Sequence, residues 1–334
     1  MNCLSNFVYT GWLCLPFVVG AVHAQIDANV DTKYPTKPIR VIVAQVPGGT
    51  ADTVMRMYAQ KMGDSIGQRL IVDNRGGSGV GSMTALQLVS GANPDGYTLM
   101  LAVPSLTFSP ALVKDMPIDV ERDFAPISLM NRESYLVATT PSLPVHSVKE
   151  FIALAKAKPG FINAGAGNFG SGTHLITMQF LDAVGVREQT TYIPYNGVSL
   201  AFIDAIAGRV QMTLSSIVSV SPHVRTGKLR ALASTGVRRA EHLPDTPTVA
   251  EQGFPGFEAT AWNGILAPAK TPPARISLLA THAVRAAKLP EIRDKLKSMG
   301  SETVGSTPQE FQKMISVEVT RWRQLVKKLG IVPS

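Results

Sequence analysis

The sequence contains very few of the residues that catalytic or metal-binding proteins rely on. It has only two cysteines, Cys3 and Cys14, and both lie in the first 24 residues. The remaining chain can therefore form no disulfide and carries no thiol nucleophile or thiolate metal ligand. Its histidines show no His-x-x-x-His or His-Glu-x-x-His spacing, which argues against zinc. No Gly-x-Ser-x-Gly motif is present. We therefore expect a protein that is not an enzyme and that needs neither cofactor nor metal.

Concentrated charge is also missing. Lys and Arg number 32 against 24 Asp and Glu, yet no basic block stands out and no aromatic residues are interleaved with basic ones. Nucleic-acid binding is therefore not expected, whereas the positive balance suits an anionic ligand. With 334 residues, 45% of them hydrophobic, the chain is globular and long enough for two α/β lobes.

The first 24 residues form a separate segment. An uncharged, mostly apolar run from Phe7 to Val22 ends in the sequence AVHA at 21–24, which has small residues at the positions that a signal peptidase reads. This is typical of a secretory signal peptide cut after Ala24. A membrane anchor is the alternative, but the run is short and is interrupted by Gly11 and Pro16. The segment has no Lys or Arg, which departs from the usual pattern. We expect export to the periplasm.

Strand-like and helical runs alternate along the rest of the chain. Strands are predicted at 38–46, 68–72 and 97–103 in a first series, and at 135–139, 161–164, 191–194, 211–215 and 229–234 in a second. Helices are predicted between them, at 53–66, up to residue 89, and at 148–157, 172–184 and 200–207. This rhythm indicates an α/β fold with a mostly parallel sheet in each lobe.

One more strand, at 257–267, and three helices follow the second series and are assigned to the first lobe. Lobe 1 would then comprise 25–133 and 259–334, and lobe 2 residues 134–258. The chain would cross near Asn131–Tyr135 and near Phe257–Ala261, as a two-segment hinge beside a ligand cleft.

A glycine-rich turn follows the first strand, in the segment Ala44–Asp52. Pro47, Gly48 and Gly49 precede a helix that opens near Thr50. Free amides at a helix start suit a carboxylate or phosphate. Asp52 either contributes to this site or only caps the helix.

The segment Asn74–Ser82 is a second glycine-rich turn before a helix. Arg75 would hold a carboxylate there or, alternatively, form a salt bridge at the surface.

The segment Ala164–His174 carries a Gly-x-Gly-x-x-Gly pattern at Gly165, Gly167 and Gly170. This pattern is typical of dinucleotide binding, but the next predicted strand leads into Tyr195-Asn196-Gly197 and lacks the acidic residue that holds a ribose. The alternative is a second loop that holds an anion. His174 would either contact that anion or pack against the protein.

Ten stretches of the sequence resemble the Bug family of extracytoplasmic solute receptors, the binding proteins of tripartite tricarboxylate transporters. In chain order they are YPTKPIR at 34–40, PGGTAD at 47–52, VDNRGGSG at 72–79, PDGYTL at 94–99, AKAKPG at 155–160, GSGTHL at 170–175, IPYNG at 193–197, GKLRALAST at 227–235, LPDTPTVAEQG at 243–253 and WNGILAPAKTPP at 262–273.

The resemblance implies a two-lobed periplasmic-binding-protein (Venus-flytrap) fold that captures a small carboxylate, such as a dicarboxylate, tricarboxylate, amino acid or aromatic acid. It implies a monomer whose partners are membrane transporter subunits, or a signalling partner if the same fold serves as a sensor. Two loops would act as pincers on one carboxylate through backbone amides and water. The residues expected at the ligand are Pro47, Gly48, Gly49, Thr50 and Asp52 on one loop, Gly167, Asn168, Gly170, Ser171, Gly172, Thr173 and His174 on the other, and Ser78, Ser105, Tyr195, Asn196 and Ser215 at other strand ends.

Two positions depart from the family pattern. Some members have Lys where this chain has Asn196, so a ligand charge that such a Lys would pair with is not expected here. Val46 stands where many members have an aromatic residue or proline.

Overall fold

The first series of elements builds a small parallel sheet with helices around it. The computed structural model describes residues 33–45, 47–48, 50–75 and 83–333. Its first elements are β1 (Ile39–Val43), α1 (Thr50–Ile66), β2 (Leu70–Asn74), α2 (Met83–Ser90), β3 (Thr98–Ala102) and α3 (Ser105–Leu112). The β-branched residues of β1 are buried, and this strand pairs in parallel with β2 and β3.

The second series is longer. It comprises β4 (Phe124–Thr139), α4 (Val148–Ala157), β5 (Ile162–Gly167), α5 (Gly172–Ala183), β6 (Thr190–Tyr195), α6 (Val198–Ile206), β7 (Met212–Ser216), α7 (Ile217–Arg225) and β8 (Arg230–Ser234). A 3₁₀ turn at Arg187–Gln189 precedes β6. Strand β5 lies between β6 and β7 and is parallel to both, so their carboxyl ends share one edge.

The last series returns to the first sheet. It comprises β9 (Thr260–Pro268), α8 (Pro273–Ala287), α9 (Pro290–Ser298), β10 (Ser301–Thr303) and α10 (Pro308–Lys328). Strand β9 runs antiparallel between β3 and β4. A capping box starts α10, in which Thr307 and Glu310 satisfy each other's backbone amides.

Strand β4 belongs to both halves of the sheet, whose order is β2-β1-β3-β9-β4-β7-β5-β6. Its residues up to Ser134 pair with β9 and β10, whereas Tyr135 onward pair with β7 and β8. The crossing expected at 131–135 is therefore part of one continuous strand.

The two-lobed α/β fold is confirmed, but the strand directions are more mixed than expected. Five of the nine pairings among the described strands are antiparallel, and each of the five involves β4 or β9. These are the two strands that connect the halves. Strand β9 runs against the parallel strands of the first half, and β4 runs against those of the second half.

Two elements of the first and last series pack against the second half. Phe108, Ala111 and Leu112 of α3 lie in one hydrophobic cluster with Trp322 and Val326 of α10 and with the core around β5 and α5. The described residues from Lys33 onward form one compact unit. The lobe limits 25–133 plus 259–334 and 134–258 stay a prediction. No helix within the described ranges is long and apolar enough to cross a membrane.

Candidate functional site

The first predicted loop is held by its own aspartate. Gly48 has a left-handed backbone (φ 80°), which favours glycine, and the space where a Cβ would stand is open. Its amide donates a hydrogen bond to Asp52 Oδ2 at 2.9 Å, and Arg56 Nε donates to the same oxygen at 3.0 Å. Burial alone would raise the pKa of Asp52, but these two hydrogen bonds hold it below its usual value. Asp52 is therefore a buried carboxylate that fixes the loop.

A small network supports this loop from β2. Arg56 Nη2 donates to Asn74 Oδ1 at 2.9 Å, and Asn74 Nδ2 donates to the carbonyl of Gln45 at 3.1 Å. Arg75 forms an ion pair with Asp73 at 3.1 Å, which is the surface salt bridge considered above as the alternative to carboxylate binding. On either side of Gly48, Pro47 is exposed and Thr50 is partly exposed.

The second predicted loop is ordered by hydroxyls at the start of α5. Ser171 is the N-cap, and its Oγ accepts from the amide of His174 at 3.2 Å. Thr173 Oγ1 accepts from the amide of Gly167 at 3.0 Å. A Cβ on Gly167 would lie 2.7 Å from the hydroxyl oxygens of Ser171 and Thr173, so only glycine fits there.

Two amides remain open at the start of α5. The N–H groups of Gly172 and Thr173 form no hydrogen bond with another described residue. They are the first two helical residues, where the backbone leaves donors unpaired and the helix dipole is positive. The sequence places no Lys or Arg among the residues expected at the ligand. The arrangement can therefore hold an anion through amides and hydroxyls.

An aromatic cluster backs this loop. The rings of Phe169, His174 and Tyr192 lie within 4.7–5.6 Å of one another, and the hydroxyl of Tyr192 donates to the carbonyl of Gly167. His174 Nδ1 accepts from the amide of Gly170 at 3.1 Å, so Nε2 carries the proton of the neutral ring. Burial lowers the pKa of His174 to about 4. The packing role considered for His174 is thus observed.

Helix α3 meets the start of α5. A Cβ on Gly172 would lie 3.2 Å from the ring of Phe108, so the two halves touch at this point. Ser105 occupies the first turn of the same helix as Phe108. The structure thereby brings the strand-end residue Ser105 and the second loop to the same region.

The other predicted residues lie at the ends of β6 and β7. Asn168 Nδ2 donates to Asn196 Oδ1 at 2.9 Å, which joins two predicted residues directly. The hydroxyl of Tyr195 donates to Asp204 Oδ2 at 2.6 Å and is already paired. Ser215 is buried in β7. Gly49, Ser78 and Val46 lie outside the described residues.

Sequence reasoning missed three aromatic neighbours of the second loop: Phe108, Phe169 and Tyr192. Phe169 lies within the glycine-rich motif and is 67% exposed, so an aromatic residue inside a polar loop was an available signal. Phe108 and Tyr192 reach the loop only through tertiary packing. No cluster of three metal-ligating side chains occurs in the part of the chain that the structure describes.

Comparison with known proteins gives one consistent family. A family profile described as "Tripartite tricarboxylate transporter family receptor" matches residues 54–331. Protein BugT of Bordetella pertussis is 34% identical over 304 residues, which covers 90% of this chain and 92% of BugT.

Solved structures agree with this match. Rpa4515 of R. palustris, solved with adipate, matches with a TM-score of 0.78 at 32% identity. The match covers 90% of this chain and 100% of the Rpa4515 chain. MatC (Rpa3494) from Rhodopseudomonas palustris, solved with bound malate, has a TM-score of 0.74 at 26% identity, with coverages of 88% and 100%.

Proposed function

Since this chain belongs to the tripartite tricarboxylate transporter family of receptors, we propose that it captures a small carboxylate between the Pro47–Asp52 and Gly167–His174 loops. Like the relatives compared above, the chain is a solute-binding receptor of this type and not an enzyme. The observation that carries the proposal is the pair of open amides of Gly172 and Thr173 at the start of α5. A carboxylate oxygen is the acceptor that such donors prefer.

The chemistry of the two loops supports an anion and not a neutral solute. Asp52 is committed to Gly48 and Arg56, so the first loop presents no free carboxylate of its own. The second loop adds the neutral His174 ring and the hydroxyls of Ser171 and Thr173. The adipate of Rpa4515 and the malate of MatC are both carboxylates, which supports the same ligand class here.

A few hydrogen bonds to the carboxylate are enough for micromolar affinity. Charge-assisted hydrogen bonds contribute about 1.5–3 kcal/mol each. Four or five of them, after ordering costs, leave the roughly −8 kcal/mol of a micromolar site. Closure of the halves over the carboxylate would complete these contacts, and a membrane partner would recognise the closed form.

Location and transport follow from the same family assignment. Receptors of this family are periplasmic, and we infer that the leader up to Ala24, which lies outside the described residues, directs export. The bound carboxylate would then be delivered to transporter subunits in the membrane. Mass spectrometry of protein from the periplasm would read the amino terminus, and an intact Met1 there would contradict leader removal.

A thermal-shift screen of organic acids tests the ligand class. Adipate, malate, citrate, glutamate and nicotinate are compared with their neutral amides as matched controls. At a hundredfold excess over Kd a ligand adds about 2.7 kcal/mol of stability. For a chain of this size this raises Tm by several degrees. If only neutral sugars or cations shift the melt, the protein does not bind a carboxylate.

A further inference from the structure

Phe169 projects from a tight turn at the tip of the second loop. The amide of Ser171 donates to the carbonyl of Asn168 at 3.0 Å, and Gly170 takes the left-handed position of this turn (φ 77°). The remaining central position belongs to Phe169, and many polar residues would fit it equally well. The side chain of Phe169 is nevertheless aromatic and 67% exposed. A single exposed apolar side chain is ordinary on a protein surface, but this one has two further properties.

The first property is that the ring of Phe169 is held in place. Its centroid lies 5.2 Å from that of His174, edge to face, and 5.6 Å from that of Tyr192. Those two rings are fixed in turn, since His174 Nδ1 accepts from the amide of Gly170 and the Tyr192 hydroxyl donates to the carbonyl of Gly167. A ligand that packs on the open face of Phe169 therefore meets a pre-organised ring, and little side-chain entropy is lost on binding.

The second property is its closeness in the chain to the open amides. Ser171 is the N-cap of α5; Phe169 precedes it by two residues, and the open N–H groups of Gly172 and Thr173 follow it directly. Another ring, that of Phe108 on α3, lies 3.2 Å from where a Cβ on Gly172 would stand. A carboxylate held by the two amides therefore has aromatic side chains in its surroundings.

The residues expected at the ligand offer no positive charge to a second carboxylate. None of them is Lys or Arg. The hydroxyl of Tyr195 is bonded to Asp204, and the side chains of Asn168 and Asn196 are bonded to each other. A charged group that leaves water without a partner is strongly disfavoured. The part of the ligand beyond its first carboxylate is therefore best matched by an apolar group.

Resting on the proposed function, we propose that the ligand is a monocarboxylate with an aromatic body, and that Phe169 determines this specificity by contacting the body. The carboxylate accepts from the amides of Gly172 and Thr173, and the aromatic ring of the ligand packs on the open face of Phe169. Aromatic rings in offset or edge-to-face contact stabilise each other beyond the area that they bury. One loop thus recognises both the charge and the ring.

A titration of the ¹⁵N-labelled protein followed by NMR compares four probes, because this method detects millimolar as well as micromolar binding. Acetate presents the carboxylate alone and should bind weakly, with shifts at Gly172 and Thr173. Phenylacetate adds a ring and should bind about tenfold more tightly or better, which corresponds to about 1.4 kcal/mol, with further shifts at Phe169. Adipate, with two carboxylates and no ring, should bind more weakly than phenylacetate. Phenylacetamide has the ring without the charge and should not saturate.

Three variants test the role of Phe169. Phe169→Ala should weaken phenylacetate by about tenfold, because the ring contact is lost, and should leave acetate within about twofold. Phe169→Tyr keeps the ring and should bind both acids nearly normally. Phe161→Ala is the matched control: it removes another exposed phenylalanine, just before β5 and outside the loop, and should leave both acids within about twofold.

The possible outcomes separate this inference from the proposed function. If acetate binds but phenylacetate binds no more tightly, or if adipate binds more tightly than phenylacetate, the aromatic monocarboxylate is wrong and the carboxylate site stands. Equal weakening of acetate and phenylacetate by Phe169→Ala would mean that Phe169 only orders the loop, which also overturns the inference. If no acid binds, the proposed function fails, and the specificity inferred for Phe169 fails with it.

Discussion

Gly172 combines two requirements in one residue. Its missing side chain leaves the ring of Phe108 room to approach and leaves the amides of Gly172 and Thr173 accessible. Its backbone is not left-handed, so a larger residue would be disfavoured by steric clash and not by backbone strain. The glycine is thus needed for close approach and not for its conformational freedom.

Gly172→Val should abolish carboxylate binding, because the isopropyl group fills the space in front of the two amides. Displacement of Phe108 should also cost about 1–3 kcal/mol of unfolding free energy, which leaves the variant folded. Thr177→Val, on the buried side of the same helix, is the control and should bind nearly normally. Calorimetric titration decides the matter: a folded Gly172→Val variant with the parent's affinity would rule out this helix start as the carboxylate site.

His174 should make the protein less stable in acid. Its folded pKa of about 4 lies below the ordinary 6.5, so the unfolded state takes up the proton first as pH falls. Stability present above pH 6.5 is then lost progressively down to pH 4, by about 1–3 kcal/mol. His174→Gln should lack this loss in urea unfolding at pH 7 and 4. His146→Gln, at an exposed position, should keep it, and equal pH dependence of all three proteins would contradict the assignment.

At the scale of the elements, α10 fastens the two halves together. Glu318 Oε2 accepts from Thr107 Oγ1 of α3 at 2.8 Å and from Trp262 Nε1 of β9 at 3.0 Å. Burial raises the pKa of Glu318, and the ion pair with Arg321 and the two hydrogen bonds oppose this. One side chain therefore joins a helix that contacts the second half to a strand of the first.

Glu318→Ala should destabilise the protein by about 2–4 kcal/mol, because it leaves the buried indole N–H of Trp262 without an acceptor. Lys313→Ala, at an exposed position of the same helix, should stay within about 0.5 kcal/mol. Urea unfolding measures both. Equal stability of the two variants would mean that Glu318 does not connect these elements.

Helices and strands that local sequence pattern determines were predictable, and those that depend on tertiary packing were not. Helix α4 begins and ends at its predicted residues, because Ser147 caps it and its apolar residues recur at helical spacing. Helix α3 was missed because Pro110 lies inside it and packing against α10 and the second half stabilises it. The first two-thirds of β4 were missed because elements cover both of its faces, so no alternation appears.

The candidate site shows the same division. Its glycine-rich loops and the N-cap Ser171 follow from the sequence, since strand ends and helix starts have local signatures. The contact of Phe108 with Gly172 depends on which elements meet in space. A cavity of about 590 Å³ beside β4 was not predicted for the same reason, because its wall joins segments as far apart as Arg132 and Thr303.

At the scale of the whole molecule, β4 is the principal connection. It pairs with β9 and β10 in one half and with β7 and β8 in the other, without a break between Ser134 and Tyr135. No neighbouring strand among the described residues spans the junction between Ser134 and Tyr135, so a change of angle between the halves at this point breaks no hydrogen bond between strands.

The shared strand also makes the protein indivisible as a folding unit. A chain cut after Ser134 would leave each fragment with half of a central strand and with unpaired edges on its neighbours, which invites aggregation. Fragments expressed separately would recover the fold only by assembling around β4. A circular permutant should be better tolerated than such a cut. New termini in an exposed turn, such as the one around Gly160, leave every strand of the sheet whole.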